Sequence, residues 1–136
     1  MQALALERTL TELDHARLSN LMRADVQSGF DADFIEAILQ SAQLVPSRAM
    51  PPDIVTMYSR VLLTFPDGRH QNLTLCYPQD ADPSEGFVSV LSPAGSSLLG
   101  LRVGEWARWR TPAGDERTAE VLAILFQPEA SGDYRT

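Results

Sequence analysis

The feature that most constrains this chain is a change of hydrophobic period at a run of prolines, Pro46, Pro51 and Pro52. Ahead of them, Leu13, Ala16, Leu18, Leu21, Met22 and Val26 recur every three to four positions, which lines one face of an α-helix. A helix is predicted from Leu10 to Val26, with Thr9 or Thr11 as its N-cap. Gln27-Ser28-Gly29-Phe30-Asp31 breaks the pattern. Asp31 or Asp33 can then cap a second helix, in which Phe34, Ile35, Ile38, Leu39, Ala42 and Val45 keep helical spacing until Pro46 stops it. Two helices joined by a short glycine-containing turn bury their apolar stripes by packing antiparallel. Residues 1–49 are expected to form a short, coiled-coil-like hairpin with arms of about 20 Å at 1.5 Å per residue.

Beyond Asp53 the segments are short, β-branched or aromatic, and punctuated by turn residues, which predicts strands. Met57 to Phe65 and Arg69 to Tyr77 flank Pro66-Asp67-Gly68; Glu105 to Thr111 and Thr118 to Phe126 flank Pro112-Ala113-Gly114. Each set reads as a β-hairpin, since proline presets φ at the turn and glycine accepts positive φ. Phe87 to Val90 supplies a fifth strand. Ser92-Pro93 opens a short helix through Leu99, with serine at N-cap and proline at N1. The expectation is α+β: a helical hairpin followed, over residues 50–136, by an antiparallel sheet wrapped around one short helix.

Charge removes several functions. The formal net charge is −7, all eleven basic residues are arginine, and acids outnumber arginines on both sides of Met50. Tight binding to nucleic acid through phosphate neutralisation is not expected. Lysine-dependent chemistry is excluded. An acidic protein of this kind suits a basic protein surface. The single cysteine, Cys76, and the acidic N-terminus without a long apolar run predict a cytoplasmic protein with no membrane anchor.

No constellation for catalysis, metal or cofactor emerges. His15 is expected on the polar side of the first helix and His70 just after a turn, both solvated. No metal-ligand spacing exists, and Gly95, Gly100 and Gly104 fit neither dinucleotide nor phosphate-loop patterns. Gly100 and Gly104 read instead as a helix C-cap and a turn. Cys76 alternates with Asn72 and Thr74 on a strand and has no activating neighbour, so its role is structural. Trp106 and Trp109 lie three apart on a strand, so they face opposite sides, one toward the core and one available as a surface anchor.

The segment Val88-Ser-Val-Leu-Ser-Pro-Ala-Gly-Ser-Ser-Leu-Leu-Gly-Leu-Arg-Val-Gly104, with Thr111-Pro-Ala-Gly114 and Glu120 to Phe126, resembles the C-terminal domain of the bacterial Gre transcript-cleavage factors. The likeness extends for the branch of that family that regulates nucleoside diphosphate kinase. It runs through Met50-Pro, Asp53-Ile-Val-Thr-Met, Ser59-Arg-Val61 and the tail Gln127-Pro-Glu-Ala-Ser-Gly-Asp-Tyr134. The resemblance implies an FKBP-like fold and a partner, RNA polymerase. The globular domain would dock at the secondary-channel rim, on the coiled coil of the largest subunit, and the N-terminal arm would point inward.

The same resemblance assigns docking to Leu91, Ser92, Pro93 and Ser96, with Leu91 standing where the cleavage factors carry an acid. The turn between the two expected helices puts Gly29, Asp31 and Asp33 at the tip of the arm, where helix capping is the other role open to the two acids. In the cleavage factors, acids at that tip help hold a catalytic magnesium ion. Here the arm is too short and the paired Asp-Glu motif is missing, so the expectation is docking without catalysis. Two alternatives make different predictions: a prolyl isomerase, which requires an aromatic-lined pocket drawn from Tyr58, Tyr77, Phe87, Trp106 and Trp109, and an active cleavage factor using Asp31 and Asp33.

Overall fold

A computed structural model describes residues 8–24, 32–111 and 113–132. The chain opens with strand β1 (Thr9–Thr11) and helix α1 (Glu12–Ala24), followed by helix α2 (Ala32–Ser41) and strand β2 (Gln43–Val45). The Thr11 hydroxyl accepts from the Asp14 amide at 2.9 Å, so Thr11 is the N-cap. Leu18 and Met22 of α1 and Ile35 and Ile38 of α2 are buried at helical spacing.

Both helices are shorter than expected. Thr9 to Thr11, read as the caps and first residue of the first helix, and Gln43 to Val45, read as the end of the second, pair as parallel strands, with Leu10 opposite Leu44. Parallel strands need a crossover, and the helical segment between them supplies it. Three residues cannot show strand periodicity against a helical background, so pairing between distant segments decides their form. A second correction concerns His15, expected to be solvated. It is half-buried, and its Nε2 lies 2.8 Å from the Leu39 carbonyl oxygen, linking α1 to α2.

The remaining strands are β3 (Arg60–Thr64), β4 (His70–Cys76), β5 (Phe87–Ser89), β6 (Trp106–Arg110) and β7 (Glu116–Phe126), with helix α3 (Pro93–Leu98) between β5 and β6. They form one sheet in the order β5-β4-β3-β7-β6. Both anticipated hairpins are present. The Pro66-Asp67-Gly68 turn closes through Gly68 N–H to the Phe65 carbonyl and Phe65 N–H to the Arg69 carbonyl, each 2.9 Å. The sheet is mixed rather than antiparallel throughout, because β5 lies parallel to β4. The connection carrying two 3-10 turns, Pro78–Asp80 and Pro83–Glu85, returns the chain so that β5 runs the same way.

One face of the sheet contributes Val61, Leu63, Leu73, Leu75, Ala107, Ala119 and Val121 to the core, where they meet Leu98 and Leu99. Leu10, Leu18, Met22, Ile35 and Ile38 belong to the same cluster, so the two halves share one interior. The Met57–Phe65 strand begins only at Arg60, because Thr56 to Ser59 form a tight turn. Thr56 N–H donates to the Ser59 hydroxyl at 2.9 Å and Ser59 N–H to the Thr56 carbonyl at 3.0 Å. Tyr58 in that turn has φ of +67°, a conformation that costs a side-chain-bearing residue energy and that its surroundings must enforce.

Candidate functional site

The segment from Ser89 to Gly100 is built by local hydrogen bonding. Ser92 adopts an extended backbone, and its Oγ accepts from Gly95 N–H at 3.1 Å, which caps α3. The same hydroxyl donates to the Ser89 carbonyl at 2.7 Å, and Ser92 N–H donates there too, at 3.0 Å. Pro93 at N1 loses no helical bond. A side chain at Gly95 would put its Cβ 2.0 Å from the Ser89 oxygen, so only glycine lets α3 sit this close to the preceding turn.

This arrangement sorts the expected docking residues. Pro93 is exposed and Ser92 half-buried. Leu91 points into the core and Ser96 is buried, its hydroxyl donating back to the Pro93 carbonyl at 3.2 Å. The four residues share one turn, and Pro93 is the one that projects from it. At the tip, Gly29 and Asp31 lie outside the described residues. Asp33 falls in the first turn of α2, one position past its first residue.

The opposite end of α3 is held by a residue that sequence reasoning missed. Buried Arg8 donates through Nη1 to the carbonyls of Leu99 at 2.7 Å and Ser97 at 3.1 Å. These are carbonyls a helix leaves unpaired at its C-terminus. Burial lowers the Arg8 pKa to about 10, and the charge of Glu105 opposes that shift. Gly100, at φ of +82°, ends the helix where a Cβ would come within 2.8 Å of the Arg8 Cβ.

Asp14 was missed as well. It lies on the buried face of α1, 1% exposed, and its Oδ2 accepts from Met57 N–H at 3.2 Å. Burial raises its pKa to about 7. The Met57 hydrogen bond works against that rise, the Glu129 carboxylate adds to it, and Arg17 and the Thr11 hydroxyl lower it. Buried Glu129 accepts from the Thr56 hydroxyl at 2.8 Å. The Tyr77 hydroxyl is buried beside this group, and its pKa is raised, first by burial and then by Asp14, with Arg17 acting against the rise. Polar and ionisable groups from α1, the 56–59 turn, the residue after β4 and the C-terminal segment thus meet at one joint. An acid in the first turn of a helix reads in sequence as compensation of the helix dipole, which hid this role.

The aromatic residues do not assemble a common pocket. Tyr58 packs edge-on to Tyr77 at 5.7 Å, and its hydroxyl donates to Asp80 at 2.6 Å. Burial, together with that bond, raises the Tyr58 pKa to about 12. Trp109 instead meets Phe65 at 6.5 Å, while Trp106 and Phe87 are exposed. The two tryptophans do face opposite ways, as their spacing predicts. Cys76 is buried, in keeping with a structural role. Among the described residues, no group of three or more His, Cys, Asp or Glu is placed to hold a metal ion, and no helix is long and apolar enough to cross a membrane.

Residues 50–126 match the family model for the C-terminal domain of the transcription elongation factors GreA and GreB. The chain belongs to the GreA/GreB family. This GreA/GreB-family chain is 40% identical over 127 residues to the regulator of nucleoside diphosphate kinase of Escherichia coli (strain K12), covering 92% of this chain and 93% of that protein. It is 33% identical over 91 residues to the elongation factor GreA of Geobacillus kaustophilus, covering 66% of this chain and 57% of the factor. Among solved structures it is similar to a transcription elongation factor GreA/GreB from Nitrosomonas europaea, with a TM-score of 0.76 and 34% identity over 88% of this chain and all of that one. The family match takes in the Ser92-Pro93 turn and all five strands of the larger sheet, and it begins where the helical segment has ended.

Proposed function

We propose that this chain is a transcription regulator that binds RNA polymerase at the rim of the secondary channel, on the coiled coil of the largest subunit. In this reading it occupies the rim in competition with Gre factors, does not stimulate transcript cleavage, and alters nucleoside diphosphate kinase levels through that occupancy. Residues 50–136 act as the binding domain and residues 1–49 as a short arm. The observation that carries the reading is the Ser92-Pro93 turn, which lies inside the family match and presents Pro93 on a rigid, capped helix end. The arm supports the non-catalytic part, because the 13 residues of α1 extend only about 20 Å.

The test is retention of core polymerase by the immobilised full chain at low salt, comparing wild type with Pro93→Glu. Glutamate is tolerated in a first helical turn, so α3 persists while the projecting surface changes. We expect retention by the wild type and at least a tenfold weaker complex with the variant. No retention by the wild type overturns the docking reading, and equal retention overturns the assignment to this edge. Added to backtracked complexes, the protein should leave the transcript intact; shortening would make it a cleavage factor.

A further inference from the structure

We propose that the outer face of the larger sheet, the one turned away from α3, is an interface between two copies of this chain, related by a two-fold axis that crosses the strands at Leu62 and Ala123. Along the strands the side chains alternate. Val61, Leu63, Ala107, Ala119 and Val121 enter the core, so Arg60, Leu62, Thr64, Trp106 and Glu120 stand on the other face. Two register shifts against β3 leave Leu122 and Leu125 of β7 without a partner in that strand. A position released from the ladder and open to water accepts any polar residue, yet both carry leucine, 41% and 48% exposed. Trp106, 52% exposed, and Phe126, 46% exposed and paired with Arg60, complete the apolar surface.

The register makes this face complementary to itself. Arg60 lies beside Phe126, Leu62 beside Ala123, and Thr64, Glu120 and Trp106 form one row. A two-fold axis lying in the interface along the middle row turns the second copy over, so that its Thr64–Glu120–Trp106 row covers the Arg60–Phe126 row of the first. Arg60 then meets Glu120 of the second copy and Phe126 meets its Trp106, each contact occurring twice. Neither Arg60 nor Glu120 makes an ion pair with another described residue. Opposite charges at the two ends of an apolar stripe fix orientation and register. The four exposed apolar side chains present roughly 400 Å², taking about 200 Å² for a whole aromatic side chain. A standard interface takes about 800 Å² from each partner, somewhat over half of it apolar, so this face supplies most of what a dimer needs. Pairing here leaves the Ser92-Pro93 turn uncovered, since α3 packs on the opposite face.

The experiment is sedimentation equilibrium of the full chain from about 1 µM to about 200 µM, with thermal unfolding as a folding check. We expect a species of twice the 15.0 kDa chain mass at the upper end. Leu122→Glu and Trp106→Glu should each weaken the dimer about tenfold or more while leaving the thermal midpoint in place, because both side chains are exposed. Arg60→Glu and Glu120→Arg should each weaken it about tenfold, and the two together should restore it to within about threefold of wild type. A wild-type chain that stays monomeric throughout overturns the proposal; should Leu122→Glu then also lose core polymerase, the face belongs to that partner. A wild-type dimer that Leu122→Glu leaves intact overturns it too, since another face holds the copies together. Single charge reversals without effect, or a double reversal that fails to restore the dimer, overturn the two-fold arrangement.

Discussion

The two ends of the shared core are secured by opposite means. At the Ser92-Pro93 end, α3 is fixed by a serine cap, by a glycine pressed against the Ser89 carbonyl and by the buried Arg8 at its last carbonyls, with no carboxylic acid making these contacts. At the α1 end, the contact with the β domain runs through Asp14, Met57 N–H, Thr56 and Glu129, two of them carboxylic acids removed from water. The first arrangement depends on shape and tolerates any pH near neutral. The second depends on protonation, because a buried carboxylate next to another acid is costly unless neutral. The surface proposed for docking is thus the rigid part, and the attachment of the arm is the part that responds to conditions.

The largest test of this contrast is pH. The folded pKa of Asp14, about 7, exceeds its ordinary 3.8, so the fold favours the neutral acid. Its stabilising contribution is complete below about pH 4, declines as pH rises, and is gone above about pH 7, a span on the order of 4 kcal/mol. Chemical denaturation at pH 5 and pH 8 should show wild type less stable at pH 8, with Asp14→Asn removing most of the difference. Equal pH slopes in the two proteins would dissolve the contrast.

At the other end, Gly95→Ala forces a Cβ onto the Ser89 oxygen and should lower stability by about 3 kcal/mol. The loss should be the same at pH 5 and pH 8 in urea denaturation. Arg8→Met keeps the aliphatic stem but leaves the Ser97 and Leu99 carbonyls without this donor. It should cost about 2 kcal/mol by the same measurement. Smallest is Ser92→Ala, which removes the cap for about 1 kcal/mol; Ser92→Asp should restore it, read as the thermal midpoint.

The contrast also separates what was legible in the sequence from what was not. Pro66-Asp67-Gly68 and Ser92-Pro93 announce a turn and a helix start through residues whose backbone preferences act locally, and the structure has both. The inward direction of Leu91 and the half-buried His15 depend on what packs against them, which neighbours in sequence do not specify. β1 and β2 are three residues each, and only their pairing across more than thirty positions makes them strands. Asp14 and Arg8 carry charges that sequence reading sends to the surface; the carbonyls and amide that receive them come from segments far along the chain.

The parallel pairing of β1 with β2 has a mechanical consequence. Both feet of the helical segment stand side by side, so the segment is a beam bolted at both feet as well as along the core it shares with the sheet, and no single backbone bond can act as its swivel. Residues added equally to both limbs would lengthen the beam without disturbing the bolts. On the docking reading proposed above, reach toward a distant target is thus a dimension that can be retuned while the grip of the globular part stays as it is.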